Sequence, residues 1–132
     1  MSSFLHLAKA DLKYVRFGLQ NCDDEIELNY AAYHLHQAIE KLVKASLELA
    51  GIDLLDRTFR THDIDFLISR LPKEVEVPEA IRKNLYKINR WVSEPRYNIN
   101  FRQSREDVEA IYKAALWWLD GILKDIGQGE ES

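Results

Sequence analysis

Apolar residues recur along the chain at steps of three and four, a spacing that places them on one face of an α-helix. The first such stripe lies within residues 3–20 and the second within residues 25–50. The second stripe is the longer one and has these members: Leu28, Ala31, Ala32, Leu35, Ala38, Ile39, Leu42, Ala45, Ser46 and Leu49. Gly51 follows directly, and glycine readily adopts the left-handed conformation found after helix ends. The pattern predicts two long helices, of which the second should form the centre of the fold.

Three more apolar stripes follow, and polar or proline residues mark their ends. Thr61 is expected to cap a short helix, which Pro72 ends. Pro78 suits the first turn of a fourth helix, and Pro95 should stop that helix. Ser104 opens the last helix, and no segment alternates with the period of two that is typical of a strand. The chain is therefore predicted to be all-α, an up-and-down four-helix bundle with an additional short helix.

The composition agrees with one helical domain. The chain has 132 residues, of which 46% are hydrophobic and 30% charged, and this is enough for a single folded core. Five Gly and three Pro are too few for the many turns of a β-sandwich or barrel. We expect a single domain over residues 1–126 and a disordered tail over residues 127–132.

The cysteine content, the hydropathy and the N-terminal sequence predict a cytoplasmic protein. Cys22 is the single cysteine, so neither an internal disulfide nor a cysteine zinc site can form. No apolar run approaches the ~20 residues that span a bilayer, and the N-terminus lacks the pattern of a signal peptide. A membrane partner is not expected.

Positive charge is concentrated in one part of an acidic chain. The formal net charge is −4, yet residues 82–105 contain seven Lys or Arg residues and a single acidic residue, Glu94. This basic window therefore carries +6 and the rest of the chain −10. Aromatic residues lie among the cations: Tyr86, Trp91, Tyr97 and Phe101. Arginine forms paired hydrogen bonds with phosphate, and aromatic rings stack on bases. The basic window is therefore a candidate site for an anionic ligand, and a solvated surface is the alternative.

No motif for metal, cofactor or covalent chemistry is evident. The chain has neither a glycine-rich phosphate loop nor a Gly-x-Ser-x-Gly turn. His34 and His36 point about 200° apart on a helix and cannot share a metal. His36 and Glu40 lie one turn apart and are expected to form a surface pair. We predict no metal and no cofactor.

Several segments resemble the HEPN domain family in its stand-alone prokaryotic form. They are residues 31–45, which include the run Ala-Ile-Glu-Lys-Leu, residues 61–64, and the pair Arg96 and Tyr97. The resemblance extends from about residue 3 to 125 and implies a helical bundle that dimerises through helix faces and binds nucleotides or RNA. It also implies frequent pairing with a small nucleotidyltransferase in a two-gene, toxin–antitoxin-like system.

Some members of that family are metal-independent endoribonucleases with an Arg, four to six intervening residues, and a His near the last long helix. In such a site the Arg holds the scissile phosphate while the His moves a proton. Arg96 would be that Arg here, but other residues occupy the positions expected for the His: Phe101, Arg102 and Gln103. A literal match occurs before the short helix, where Arg57 precedes His62 with four residues between them.

The leading interpretation is a non-catalytic HEPN module that binds nucleotide or RNA phosphate and a nucleotidyltransferase partner. The candidate ligand-binding residues are Arg90, Arg96, Tyr97, Asn98, Asn100 and Arg102. The arginines would hold phosphate, and the tyrosine and asparagines would contact a sugar or base, although the tyrosine ring could instead pack on the bundle. Two alternatives stay open: an endoribonuclease toxin that uses Arg57 or Arg96 with His62, and a dimeric scaffold without a small ligand.

A homodimer is also expected from the last helix. Trp117 and Trp118 are adjacent, and two neighbouring side chains on a helix cannot both face one core seam. One of the two should therefore meet a partner surface or stay half-exposed.

Overall fold

The computed structural model describes residues 3–21, 24–97 and 103–131, and for residues 94–97 and 128–131 it describes the backbone alone. The described part contains six α-helices and one 3-10 turn: α1 (Ser3–Asn21), α2 (Glu25–Leu49), the turn (Arg57–Phe59), α3 (Ile64–Ser69), α4 (Glu79–Arg82), α5 (Leu85–Tyr97) and α6 (Arg105–Glu131). No strand occurs among these residues. The predicted class, an all-α helical bundle, is confirmed.

The ends of α2 are set by short-range signals in the sequence. Asp24 caps its start, since the side chain accepts a hydrogen bond from the backbone N–H of Glu27 at 2.8 Å. At the other end Gly51 has a φ of +84°, the left-handed conformation that glycine adopts without the steric penalty of a Cβ. The predicted stop at Gly51 is confirmed.

Helix α2 lies at the centre of the bundle. It packs against α1, α3, α5 and α6, and its Leu35, Ile39 and Leu42 are completely buried. The other helices contribute their own apolar stripes to the same core: Leu5, Leu12, Val15, Ile64, Leu67, Ile81, Ile88, Trp91, Val108, Ile111 and Trp118. Burial of apolar surface is the main favourable term in folding, so these stripes hold the helices together.

The fourth predicted helix is in fact two helices, because α4 and α5 are separated at Lys83 and Asn84. The side-chain amide of Asn84 donates to the carbonyl oxygen of Ala80 at 2.6 Å, and the backbone N–H of Asn84 donates to that of Ile81 at 3.1 Å. Asparagine side chains compete with backbone groups in this way and interrupt the helical ladder. The prediction of one continuous helix is wrong.

Two further predicted boundaries are wrong. Pro95 does not stop α5, whose backbone stays helical to Tyr97. A proline near the end of a helix removes only the one backbone hydrogen bond that its own N–H would have donated. Asp63 rather than Thr61 caps α3, since its carboxylate accepts from the N–H of Phe66 at 3.4 Å, while the Thr61 hydroxyl accepts from the N–H of Asp63 at 3.0 Å.

The last helix begins where the sequence predicts. The Ser104 hydroxyl accepts a hydrogen bond from the backbone N–H of Asp107 at 3.3 Å, which caps α6. The helix continues past residue 126 to Glu131. The domain boundary expected at residue 126 stays a prediction.

Candidate functional site

Polar side chains cluster where α2 meets the start of α3 and the middle of α5. The polar cluster, as we call it, consists of His36, Glu40, His62, Asp63 and Asn89. His36 and Glu40 are buried. Buried polar groups need partners inside the protein because they give up hydrogen bonds to water, and both residues have them.

His36 holds the backbone just ahead of α3. Its Nε2 lies 2.9 Å from the carbonyl oxygen of His62, and because a carbonyl can only accept, Nε2 carries the proton. Nδ1 then accepts from the side-chain amide of Gln37 at 3.3 Å. Burial lowers the pKa of His36 from 6.5 to about 4, although the neighbouring Glu40 carboxylate opposes this effect. The ring is therefore neutral at pH 7.

Glu40 orients the side chain of His62. Its Oε1 accepts a hydrogen bond from His62 Nδ1 at 2.6 Å, and its Oε2 lies 3.3 Å from Lys44 Nζ. The carboxylate is buried, whereas the side chain of His62 is 69% exposed. A proton on Nδ1 leaves the lone pair of a neutral imidazole on Nε2. A histidine held in this way can exchange a proton with a bound hydroxyl or phosphate.

Asn89 joins α5 to the polar cluster. Its side-chain oxygen accepts from the backbone N–H of Ile64 at 3.1 Å, and its side-chain nitrogen donates to Asp63 Oδ1 at 3.1 Å. These two bonds fix the start of α3 against the middle of α5. His62, which directly precedes Asp63, is thereby placed beside α5.

Helix α5 also carries a tyrosine–arginine pair within one turn of Asn89. The Arg90 guanidinium lies over the ring of Tyr86, 5.5 Å from the ring centroid. Tyr86 is 75% exposed. An arginine next to an exposed ring combines a donor for phosphate with a surface for base stacking.

The predicted ligand-binding residues are described to different extents. Arg90 is half-buried on α5. Arg96 and Tyr97 lie in the last turn of α5, where the backbone alone is described. The remaining three lie outside the described residues: Asn98, Asn100 and Arg102. Their roles stay predictions.

Arg57, the other predicted partner of His62, lies in the 3-10 turn. Asp56 caps that turn through Thr58, and the hydrogen bonds from the Thr58 backbone and hydroxyl lower the pKa of the Asp56 carboxyl. Within the described part of the chain no hydrogen bond joins Arg57 to His62. Glu40, from a different helix, orients His62 instead.

The sequence alone does not reveal Glu40 as the partner of His62. The expected surface pair of His36 and Glu40 is wrong, because both side chains are buried. A signal was available, since each directly follows a core position of the stripe, Leu35 or Ile39, and so lies at the edge of the apolar face. Their contact with His62 depends on how α2 and α3 pack.

The described residues include neither a metal-binding cluster nor a membrane-spanning helix. They contain no group of three or more His, Cys, Asp or Glu side chains placed to hold a metal ion. No helix in the described ranges has both the length and the hydropathy needed to cross a bilayer.

Fold and site together define a class of protein, a helical-bundle domain with a buried carboxylate that positions an exposed histidine. The chain belongs to the HEPN family, because the model of the HEPN domain matches residues 1–116. The match contains the whole polar cluster and all of α5, and it confirms the family indicated by residues 31–45. No curated protein and no solved structure matches the chain.

Proposed function

We propose that this HEPN domain binds the phosphate of a nucleotide or of RNA through α5 and the residues that follow it. The observation that carries the proposal is the pair of Tyr86 and Arg90 on the surface of α5, inside the basic window of residues 82–105. The net charge of +6 in that window favours an anionic ligand, and within it Lys87 and Arg105 form ion pairs with Asp107 and Glu109. Membership of the HEPN family supports the same class of ligand.

The arginines of the basic window share the work of holding phosphate in this proposal. Arg90 contributes from α5, while Arg96 and Arg102 contribute from its last turn and from beyond it. Guanidinium groups form paired hydrogen bonds with phosphate oxygens, and these bonds fix the orientation of the phosphate in addition to attracting its charge. The sugar or base contacts the remaining predicted residues: Tyr97, Asn98 and Asn100.

The cellular part of the proposal rests on the family resemblance. We infer that the domain acts as a homodimer, together with a small nucleotidyltransferase, in a two-gene toxin–antitoxin-like system of the prokaryotic cytoplasm. Co-expression with the neighbouring gene product, followed by purification of the complex, tests this pairing.

Binding of a fluorescent ATP analogue and of a short single-stranded RNA at two salt concentrations tests the ligand. Arg90→Ala and Arg96→Ala should each weaken binding about tenfold or more, because a hydrogen bond to a charged group contributes ~1.5–3 kcal/mol. Each should also reduce the salt dependence. Lys124→Ala, which removes a positive charge from the exposed surface of α6, is the matched control and should bind as the wild type does.

Two results would count against the ligand proposal. Equal weakening by Lys124→Ala would mean that only net charge matters. Absence of binding at either salt concentration would refute it and favour the scaffold alternative.

The pair of Glu40 and His62 favours a second candidate, a metal-independent endoribonuclease. His62 Nε2 takes the proton of a ribose 2′-hydroxyl, whose oxygen forms a bond to the adjacent phosphorus while the bond to the 5′-oxygen breaks. The proton then passes to the leaving 5′-oxygen, which gives a 2′,3′-cyclic phosphate and a 5′-hydroxyl. Arg57 or Arg96 holds the phosphate in this scheme.

Recovery of the RNA after the binding experiment tests the second candidate. Cleavage with a 2′,3′-cyclic phosphate end, lost in His62→Ala, is the expected result. His6→Ala, which removes an exposed histidine of α1, is the matched control. Circular dichroism checks that both variants fold. Cleavage that persists in His62→Ala would rule out this assignment, and RNA that the wild type leaves intact would rule out the activity.

A further inference from the structure

A groove of about 590 Å³ lies between the end of α2, the segment before α4 and the C-terminal half of α6. Trp118 and Ile122 line it from the core side and are buried, Trp118 to 97% of its surface. Trp117 also lines the groove and is 57% exposed. Leu49, at the end of α2, lines it as well and is 55% exposed. The two adjacent tryptophans therefore face differently, as the sequence predicts. The groove is apolar and open to solvent.

Gly121 leaves part of the groove unfilled. It lies in the interior of α6, where a Cβ built on its backbone would meet no atom within 4 Å. Glycine in a helix interior costs about 0.5–1 kcal/mol relative to alanine. The first atom of a side chain at this position therefore has free space, so a substitution at Gly121 can be used to fill part of the groove.

The charged residues that line the groove are all acidic. They are Glu74, Glu76 and Asp125, and no Lys or Arg lies among the described residues that line it. All three are exposed, and none forms an ion pair with another described residue. An apolar surface with exposed carboxylates at its rim is complementary to a ligand that is both apolar and cationic.

We propose that this groove binds a cationic amphipathic helix of a partner protein. Such a helix has bulky apolar side chains at steps of three and four, which would pack against Trp117 and Leu49. Its Lys or Arg side chains would face the carboxylates at the rim. The proposal concerns a surface other than the basic window and does not rest on the nucleotide or RNA ligand.

Charge argues against two other occupants. A nucleic acid would bring phosphates against three carboxylates. A second copy in a two-fold dimer would place the same carboxylates of both protomers at one interface, because such an interface uses the same patch twice. Like charges facing each other disfavour both arrangements.

Titration with dye-labelled peptides tests the proposal on the full chain. The probe is a short helical peptide of leucine and lysine with helical spacing. A scrambled peptide of the same composition and a leucine–glutamate peptide are the comparisons. Because Trp91 and Trp118 are already buried, a blue shift of the tryptophan emission on binding reports Trp117. Binding of the leucine–lysine peptide with a blue shift, and weaker binding of the other two, is the expected result.

Variants separate the groove from the rest of the acidic surface. Trp117→Ala and Gly121→Leu should each weaken binding about tenfold, since a central aromatic anchor dominates such interfaces. Neutralising the three rim carboxylates together should weaken it about tenfold and reduce its salt dependence. Tyr30→Ala, an exposed aromatic on α2, and Glu106→Gln, an exposed carboxylate at the start of α6, are the controls and should leave affinity within about twofold.

Several outcomes would overturn the proposal. They are the absence of binding, equal affinity for the scrambled or acidic peptide, and equal losses in the control variants. Sedimentation that shows a wild-type dimer and a Trp117→Ala monomer would also overturn it, because the groove would then bind a second copy.

Discussion

In mild acid the fold loses stability because of His36. Replacing His36 by glutamine should abolish most of that loss. The ring is buried, and its neutral form donates to the carbonyl oxygen of His62. A glutamine amide can donate to the same oxygen but does not take up a proton as the pH falls. His36→Gln therefore keeps the polar character of the site and removes its titration.

The pKa of His36 sets the size and the sign of the effect. Burial lowers it from 6.5 to about 4 in the folded protein. Below pH 6.5 the His36 ring is protonated in the unfolded chain but stays neutral in the folded protein, so the free energy of unfolding falls as the pH falls. The fall ends near pH 4, where the ring of the folded protein is protonated as well. At 1.36 kcal/mol per pH unit, the loss amounts to about 2 kcal/mol by pH 5 and about 3 kcal/mol at pH 4.

Urea unfolding followed by tryptophan fluorescence at a series of pH values between 7 and 4 measures the effect. Both proteins contain the same other titratable groups, so the wild-type minus variant difference in the free energy of unfolding isolates His36. That difference should fall by about 2 kcal/mol between pH 7 and pH 5. Parallel pH profiles for the two proteins would show that burial does not depress the pKa of His36, and would refute the reasoning.

Two further predictions concern stability. Asn89→Ala removes the partners of the Ile64 N–H and of Asp63, so the free energy of unfolding should fall by about 1–3 kcal/mol; an unchanged urea midpoint would show that water replaces both bonds. Gly121→Ala should raise the free energy of unfolding by about 0.5–1 kcal/mol, because the methyl group meets no atom within 4 Å; a lower thermal midpoint would show that the groove does not have this space.

Part of the candidate site could be predicted from the sequence. The basic window and its aromatic residues could be read directly, because they lie within one continuous segment. His62 was also predicted, with Arg57 or Arg96 as its partner. The residue that holds it, Glu40, is 22 positions away on another helix. Spacing along the chain carries no information about such a pair, since it forms only when α2 and α3 pack together.

Local competition between hydrogen bonds explains the errors in the helix boundaries. Whether the Asn84 side chain or the backbone bonds to Ala80 decides if α4 and α5 are one helix or two. Whether Pro95 ends α5 depends on a single backbone bond. Such differences are about 1 kcal/mol, smaller than the contributions of packing, so pattern alone does not decide them.

The sequence by itself determined the all-α class, the central place of α2 and the ends marked by Gly51 and Ser104. These features follow from apolar spacing, backbone conformation and capping, all of which act within a few residues. Only the tertiary structure decided that Glu40 is buried and holds His62, that Asn89 ties α5 to α3, and which tryptophan faces the solvent. Each of these depends on contacts between helices, where burial in a low-dielectric interior gives polar groups partners and pKa values that their position in the sequence does not reveal.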